Sequence, residues 1–396
     1  MNVEKSKKEY VLDFLARIGF KDNGLSDKTI EFIFSYLAGI EELKTNRKYN
    51  DHNWEMNYAS FDIKKNRYIP VIDYKIFNLY HKGLLKKIDR KENMWPQKKK
   101  FALCITHDID HLFGKSFLYY RKMIPHFNKA PIKNKLLFLG SFIKNSLNIK
   151  KKSIPDLGIW LKAEEKHNFK SSFLFFSDKL IEPSWEDSFY KYTDKTIFEG
   201  QKVEIGCVIK EIFKRGWDVG LHGSCKSYCN SQYLKYEKKR LENLIDCEIK
   251  TIRQHHLMFD IRDTPQCQNA VNFKVDSTRG SNISPDFRCG TGFPFYQYDL
   301  NNEKSLDILQ IPLVIQDNAL FRHEKLNKEQ VVNYVSEVME MVADINGCMT
   351  ILWHNNYYKN DKEFQAFEEI LNKADKLGAW GCSLRELNDW WRRKRN

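Results

Sequence analysis

Four short apolar runs in this 396-residue chain each deliver an acid or an imidazole at the same end. The run Phe101 to Ile105 leads into Thr106-His107-Asp108-Ile109-Asp110-His111. Likewise "WDVGL" runs into His222, "TIR" into Gln254-His255-His256, and "MTILW" into His354. A carboxylate with imidazoles is the ligand set of a catalytic divalent metal that keeps one position open. A second carboxylate beside it can act as a base on water, and a separate imidazole can protonate a leaving group. On its own, the Asp108/Asp110 pair would read as caps on backbone amides at a strand-to-loop turn. The recurrence at His222, His255 and His354 favours the metal.

Strand alternation sorts these residues. Thr106, Asp108 and Asp110 share one face, while His107 and Ile109 take the other. By the same rule Arg253 and His255 point together, with His256 opposed. His107, His111 and His256 are therefore expected to be structural.

The elements that must position them form a repeating pattern. Strand candidates at Ala102–Ile105, Ser172–Phe176, Asp218–Leu221, Thr251–Arg253, Phe273–Val275, Leu309–Val314, Thr350–Trp353 and Gly381–Ser383 alternate with helical patterns. The helices are expected at Val203–Arg215, Gln232–Ile245, Lys328–Asp344 and Lys362–Leu377. This alternation argues for an α/β architecture, a distorted (β/α) barrel of seven to eight parallel strands. In such a barrel reactive side chains gather at the C-terminal strand ends. Residues 1–97 read as a small, mainly helical accessory region, ending at the basic junction "MWPQKKK". Residues 98–396 form the barrel, with an insertion at about 114–156. The insertion holds "KAPIKNKLLFLGSFIKNSLNIKKKS", either a helical hairpin packed on the barrel, or a lid or peripheral membrane contact. The tail "WWRRKRN" invites the same readings.

An apolar fraction of 42% and an aromatic fraction of 14% supply a core and exclude global disorder. A net charge of +13 favours anionic partners. No nucleic-acid recognition motif accompanies the charge, so no nucleic-acid partner is expected. Nine cysteines without a regular framework suit a reducing compartment. The N-terminal stretch lacks the apolar core of a secretory signal, and no run reaches the length of a membrane span. A cytoplasmic location, with at most peripheral membrane contact, is the expectation.

In order and spacing, "THDID", "DVGLHGS", "IRQHH" and "ILWHN" resemble the polysaccharide deacetylase family, carbohydrate esterase family 4, with its NodB-homology fold. The resemblance runs from Phe101 to about Trp391. A subgroup with "RQH", "DST", "FRxGT" and "D-x-x-L" elements is more similar still; here these are Arg253–His255, Asp276–Thr278, Phe287–Thr291 and Asp317–Leu320. The resemblance implies a distorted (β/α) barrel that hydrolyses N-acetyl or O-acetyl groups on sugars with a divalent metal, usually zinc. It implies Asp108 as catalytic base, Asp110 and His222 as metal ligands, and His354 as general acid. It further implies Arg253 as the groove arginine that orients the base. With Arg253, the residues counted on the substrate side are Arg288, a candidate for substrate anions, Asp317, and Trp353, which with Tyr357 could stack on a sugar ring. For Arg288 the alternative is a buried pair with Asp276 or Asp317; for Trp353 and Tyr357, a place in the core.

One departure stands out. The family's second metal histidine lies four residues after the first, where this chain has Lys226. An ammonium cannot ligate a cation. His255 is the preferred third ligand, with Cys225 and Cys229 as rivals in an H-x-x-C-x-x-x-C pattern. The expected function is metal-dependent deacetylation of a polysaccharide or its lipid- or nucleotide-linked precursor, in surface-polysaccharide assembly. The alternatives are a catalytically impaired relative that binds glycan, and a metal-independent glycoside hydrolase.

Overall fold

Alternation divides strand β1 (Phe101–Ile109) into two working faces. Phe101, Leu103, Ile105 and Ile109 join one apolar cluster, whereas Ala102 and Cys104 join another, and Thr106 and Asp108 continue that second face. The computed structural model describes residues 4–44, 61–62, 67–88, 93–110, 112, 132, 135–136, 155–184 and 186–393.

The remaining strands of the main sheet are β2 (Ser172–Phe175), β3 (Asp218–Gly223), β4 (Thr251–Gln254), β5 (Val275–Asp276), β6 (Phe295–Asp299), β7 (Lys304–Gln310), β8 (Ile315–Gln316), β9 (Cys348–Leu352) and β10 (Ala379–Cys382). They run in the order β6-β7-β5-β4-β3-β2-β1-β9-β8, with β10 also on β1. Every pairing is parallel except β6 with β7. The sheet curls into a half-barrel, the expected α/β architecture with ten strands. The strand β6, which no sequence pattern signalled, is its antiparallel edge.

Helices are α1 (Lys5–Arg17), α2 (Asp27–Leu37), α3 (Ile40–Lys44), α4 (Val71–His81), α5 (Gly158–Glu165), α6 (Ile205–Lys214), α7 (Ser231–Ile245), α8 (Thr264–Ala270), α9 (Lys328–Asp344), α10 (Lys362–Lys376) and α11 (Leu384–Arg393). Their starts follow local chemistry. Asn327 and Gln330 form a reciprocal capping box on α9, and Asn230 caps α7. Val331, Val335, Val338 and Val342 then give α9 a buried stripe at helical spacing.

The N-terminal elements share a core with the sheet. Tyr10, Phe14, Phe34 and Ile72 cluster with Cys104, Leu309, Ile311 and Cys348. The tail packs rather than projects: Trp391 is buried, the Trp390 indole donates to the Met94 carbonyl, and Arg392 pairs with Asp307. Almost all of the sequence-defined insertion lies outside the described residues. Among the described residues no helix is long and apolar enough to cross a membrane.

Register aligns the strand ends. Arg253 pairs directly with His222, and Leu352 with Thr106, so His255 and His354 emerge two residues past paired positions. Asp110 likewise follows the last residue of β1.

Candidate active site

Asp108 is held by one guanidinium. Arg253 Nη1 lies 2.8 Å from Asp108 Oδ1 and 2.9 Å from Thr106 Oγ1. Its Nε and Nη2 donate to the carbonyl and hydroxyl of Ser277. Thr106 and Asp108 share the inward face of β1, so one arginine from β4 can serve both. With all these bonds made, the fully buried guanidinium fixes Asp108 Oδ1 and leaves Oδ2, 3.8 Å from His222 Nε2.

Asp110 is the centre of the cluster. His222 Nε2 lies 3.2 Å from its Oδ1, His255 Nε2 3.9 Å from the same oxygen, and His354 Nε2 3.6 Å from Oδ2. Burial alone would raise the Asp110 pKa, but the three imidazoles outweigh it and hold the carboxyl well below the usual range. Burial likewise works against a charged His222, yet Asp108 and Asp110 raise its pKa.

The imidazoles are oriented from behind. His222 Nδ1 meets the Arg253 carbonyl at 2.9 Å, which turns Nε2 towards Asp110. His255 Nδ1 lies 3.6 Å from Asp187 Oδ1 and 3.6 Å from Cys225 Sγ. Asp187 is itself fixed by the backbone N–H groups of Cys225 and Ser184. Burial opposes its ionisation, but His255 and these amides lower its pKa. The Phe176 ring stands edge-on to both imidazoles, at 4.8 Å from His222 and 5.0 Å from His255. The sequence pattern marks Phe176 only as the end of a strand and gives Asp187 no place in the site. Asp187 sits in a loop with no periodicity to betray it.

The donor atoms of Asp110, His222 and His255 lie within 4.8 Å of one another. Asp110 Oδ1 is buried without a hydrogen-bond partner of acceptable geometry, as a carboxylate awaiting a cation would be. One carboxylate and two imidazoles thus fit a divalent metal of the zinc type. Lys226 is exposed in the turn after β3 and is not among the residues of this cluster. Cys225, His255 and His256 form a second group at similar spacing. Its chemistry is poorer: burial and Asp187 push the Cys225 thiol far up, and His256 is exposed. Cys229 turns to Thr264, and burial pushes its thiol up to about 12.

His354 stands on Asp317, with Nδ1 to Oδ1 at 2.6 Å. Burial disfavours the imidazolium, but Asp317 overrides it and raises the pKa to about 9. Asp317 also accepts the His354 backbone N–H and a bond from the Tyr357 hydroxyl.

Burial places three of the substrate-side expectations, Asp317, Arg288 and Trp353, away from the cleft surface. Asp317 is fully buried behind His354 and holds it as Arg253 holds Asp108. Arg288 pairs with neither Asp276 nor Asp317: its Nη2 meets Glu42 Oε2 at 2.6 Å, and Arg279 binds the same glutamate. Trp353 is fully buried against Phe367 and Phe321, and its indole donates to the Glu363 carbonyl. Adjacent strand residues point oppositely, so Trp353 cannot share the cleft with His354. His107, as parity indicates, lies behind the sheet between the Trp353 carbonyl and Glu164. His111 lies outside the described residues.

No family model and no curated protein matches the chain. Solved structures do. A crystal structure from Mycobacterium smegmatis described as a polysaccharide deacetylase superposes with a TM-score of 0.51 at 14% identity, covering 76% of this chain and 93% of that one. An allantoinase superposes with a TM-score of 0.51 at 11% identity, covering 77% and 98%. Two differently named activities on one scaffold make the likeness one of fold. The chain has the polysaccharide deacetylase fold, in a divergent form.

Proposed function

We propose that the chain is a metal-dependent hydrolase that removes acetyl groups from a sugar. The observation that carries this reading is the convergence on Asp110 of His222, His255 and His354, beside an Asp108 locked by Arg253.

Asp110, His222 and His255 would hold the cation. When bound, a divalent cation there supplies Lewis-acid polarisation of an acyl carbonyl and acidifies water. Asp108, restrained through Oδ1, offers Oδ2 to take the proton of a water as its oxygen bonds to the acyl carbon. His354, charged at neutral pH through Asp317, gives its Nε2 proton to the departing nitrogen or oxygen as the acyl bond breaks. The products are acetate and the free amine or hydroxyl. Arg253 and Asp317 touch neither reacting atom; they fix the base and the acid.

For the substrate we propose an acetylated sugar of a polysaccharide, or its lipid- or nucleotide-linked precursor met in the cytoplasm. The net charge of +13 suits such anionic carriers. The test is acetate release from N-acetylated and O-acetylated oligosaccharides by zinc-loaded protein. Release that chelation and Asp108→Asn both abolish supports the reading. Release unaffected by either contradicts it.

A further inference from the structure

His222 and His255 reach the Asp110 cluster from different kinds of backbone. His222 lies inside β3, where the strand sets its direction. His255 lies just beyond β4, in a short turn that continues through His256 and Leu257 at φ of 54° and 56°. Left-handed backbone follows it directly, so strand alternation does not hold its ring. Side-chain partners must hold it instead.

The segment after β2 supplies them. Ser188 Oγ donates to the Asp110 carbonyl. The Tyr190 hydroxyl accepts the N–H of Phe176, whose ring stands edge-on to both imidazoles. Asp187, beside Ser188 on the chain, has a fully buried side chain whose Oδ1 faces His255 Nδ1 at 3.6 Å. Its Oδ2 accepts the Ser184 N–H at 2.7 Å and its Oδ1 the Cys225 N–H at 2.8 Å, so the carboxylate is fixed in place.

A histidine that ligates through Nε2 carries its proton on Nδ1, and a cation on the ring adds positive charge there. Two groups lie near His255 Nδ1, Asp187 Oδ1 and Cys225 Sγ, each at 3.6 Å. A thiol sulfur is a weak acceptor without charge, whereas the carboxylate answers both the proton and the charge. At this separation the attraction is electrostatic rather than that of a formed hydrogen bond.

We propose that Asp187 is the positioning residue of the metal site. It holds His255 with Nδ1 protonated and Nε2 turned towards Asp110, the part that the Arg253 carbonyl plays for His222. The inference rests on the metal reading of the Asp110 cluster, and it adds a residue that none of the strand-end motifs contains.

Competition of the full chain with a chromogenic chelator for zinc tests the assignment. Asp187→Asn is expected to bind zinc about tenfold or more weaker than the wild type, and Cys225→Ala within about twofold of it. Long-range proton–nitrogen spectra of the zinc-loaded, histidine-labelled protein supply a second readout. The wild type should show His255 with its proton on Nδ1, identified by its loss in His255→Ala, and Asp187→Asn should move that proton upfield. A role confined to capping the Ser184 and Cys225 amides would leave the signal where it is. Zinc on the wild type with equal affinity for Asp187→Asn, or an unmoved His255 signal, overturns this inference alone. So does a loss in Cys225→Ala as large as that in Asp187→Asn. No zinc on the wild type overturns the metal reading and this inference with it. If Asp187→Asn does not fold, the wild-type spectrum decides: a His255 proton on Nε2 overturns the proposal.

Discussion

Asp317 Oδ1 lies 2.6 Å from His354 Nδ1, and Asp317 Oδ2 accepts the His354 backbone N–H at 3.1 Å. One buried carboxylate therefore fixes both the rotation of the imidazole and the ring nitrogen that carries its outward proton. Across the cleft Arg253 does the same for Asp108. Asp108 and His354 are each held by a buried partner of opposite charge.

The first pair has a pH signature. His354 rises from an ordinary value of 6.5 to about 9, so the stability its pairing contributes is fully present below the unfolded value and is lost as pH rises through the folded one. Metal-free wild type should lose up to about 3 kcal/mol between about pH 6 and pH 10. Asp317→Asn should lose little over that range. Denaturant titrations at both ends check this, and parallel curves for the two proteins would refute the pairing.

Arg253 and Asp108 should respond unequally to substitution. Arg253→Ala leaves a buried carboxylate uncompensated, at a cost of about 3–5 kcal/mol. Asp108→Asn leaves the guanidinium its bonds to Ser277 and Thr106, and should abolish turnover at smaller cost to stability. Denaturation midpoints set beside acetate release separate the two effects.

Arg288 and Arg279 share Glu42, which joins α3 to the sheet-side loops. Glu42→Gln should destabilise by about 3–5 kcal/mol, because two buried guanidinium groups lose their counter-charge. Arg288→Ala should lower stability without changing KM for an acetylated sugar. A raised KM at unchanged stability would return Arg288 to the substrate.

Asp73 gives the opposite kind of pH test, far from the cleft. Burial pushes its carboxyl up to about 7, against its weaker bonds to Thr291 and Gly292. Stability is then lost as pH rises from the ordinary carboxyl value through about 7, since ionisation is resisted in the fold. Asp73→Asn removes that loss. The variant should gain about 2–4 kcal/mol on the wild type between about pH 5 and pH 8.5. Melting temperatures that track each other would contradict this.

Much of the fold was legible because it rests on local patterns. The bounds of α9 coincide with the expected Lys328–Asp344, where a capping box opens a strict apolar stripe. The parallel strands were found from apolar runs, but their ends were not: β1 continues through the acidic motif to Ile109, because Thr106 and Asp108 find inward partners in Arg253. The cluster of Asp110, His222, His255 and His354 was legible because strand ends in one parallel sheet must converge. Trp353 obeys the parity rule that also governs His107: it shares the apolar face of Met349 and Ile351, opposite His354. Asp187 and Glu42 were invisible for another reason. Each is brought in by a loop or helix remote in sequence, so only tertiary packing reveals its partner.

The central claim is that His255 takes the ligand position that Lys226 vacates. Elemental analysis of purified protein after zinc loading, for wild type, His255→Ala and Lys226→Ala, tests it most directly. About one metal per chain in wild type and Lys226→Ala, lost in His255→Ala, is the result the account predicts. Metal retained in His255→Ala, or absent from the wild type, would contradict it.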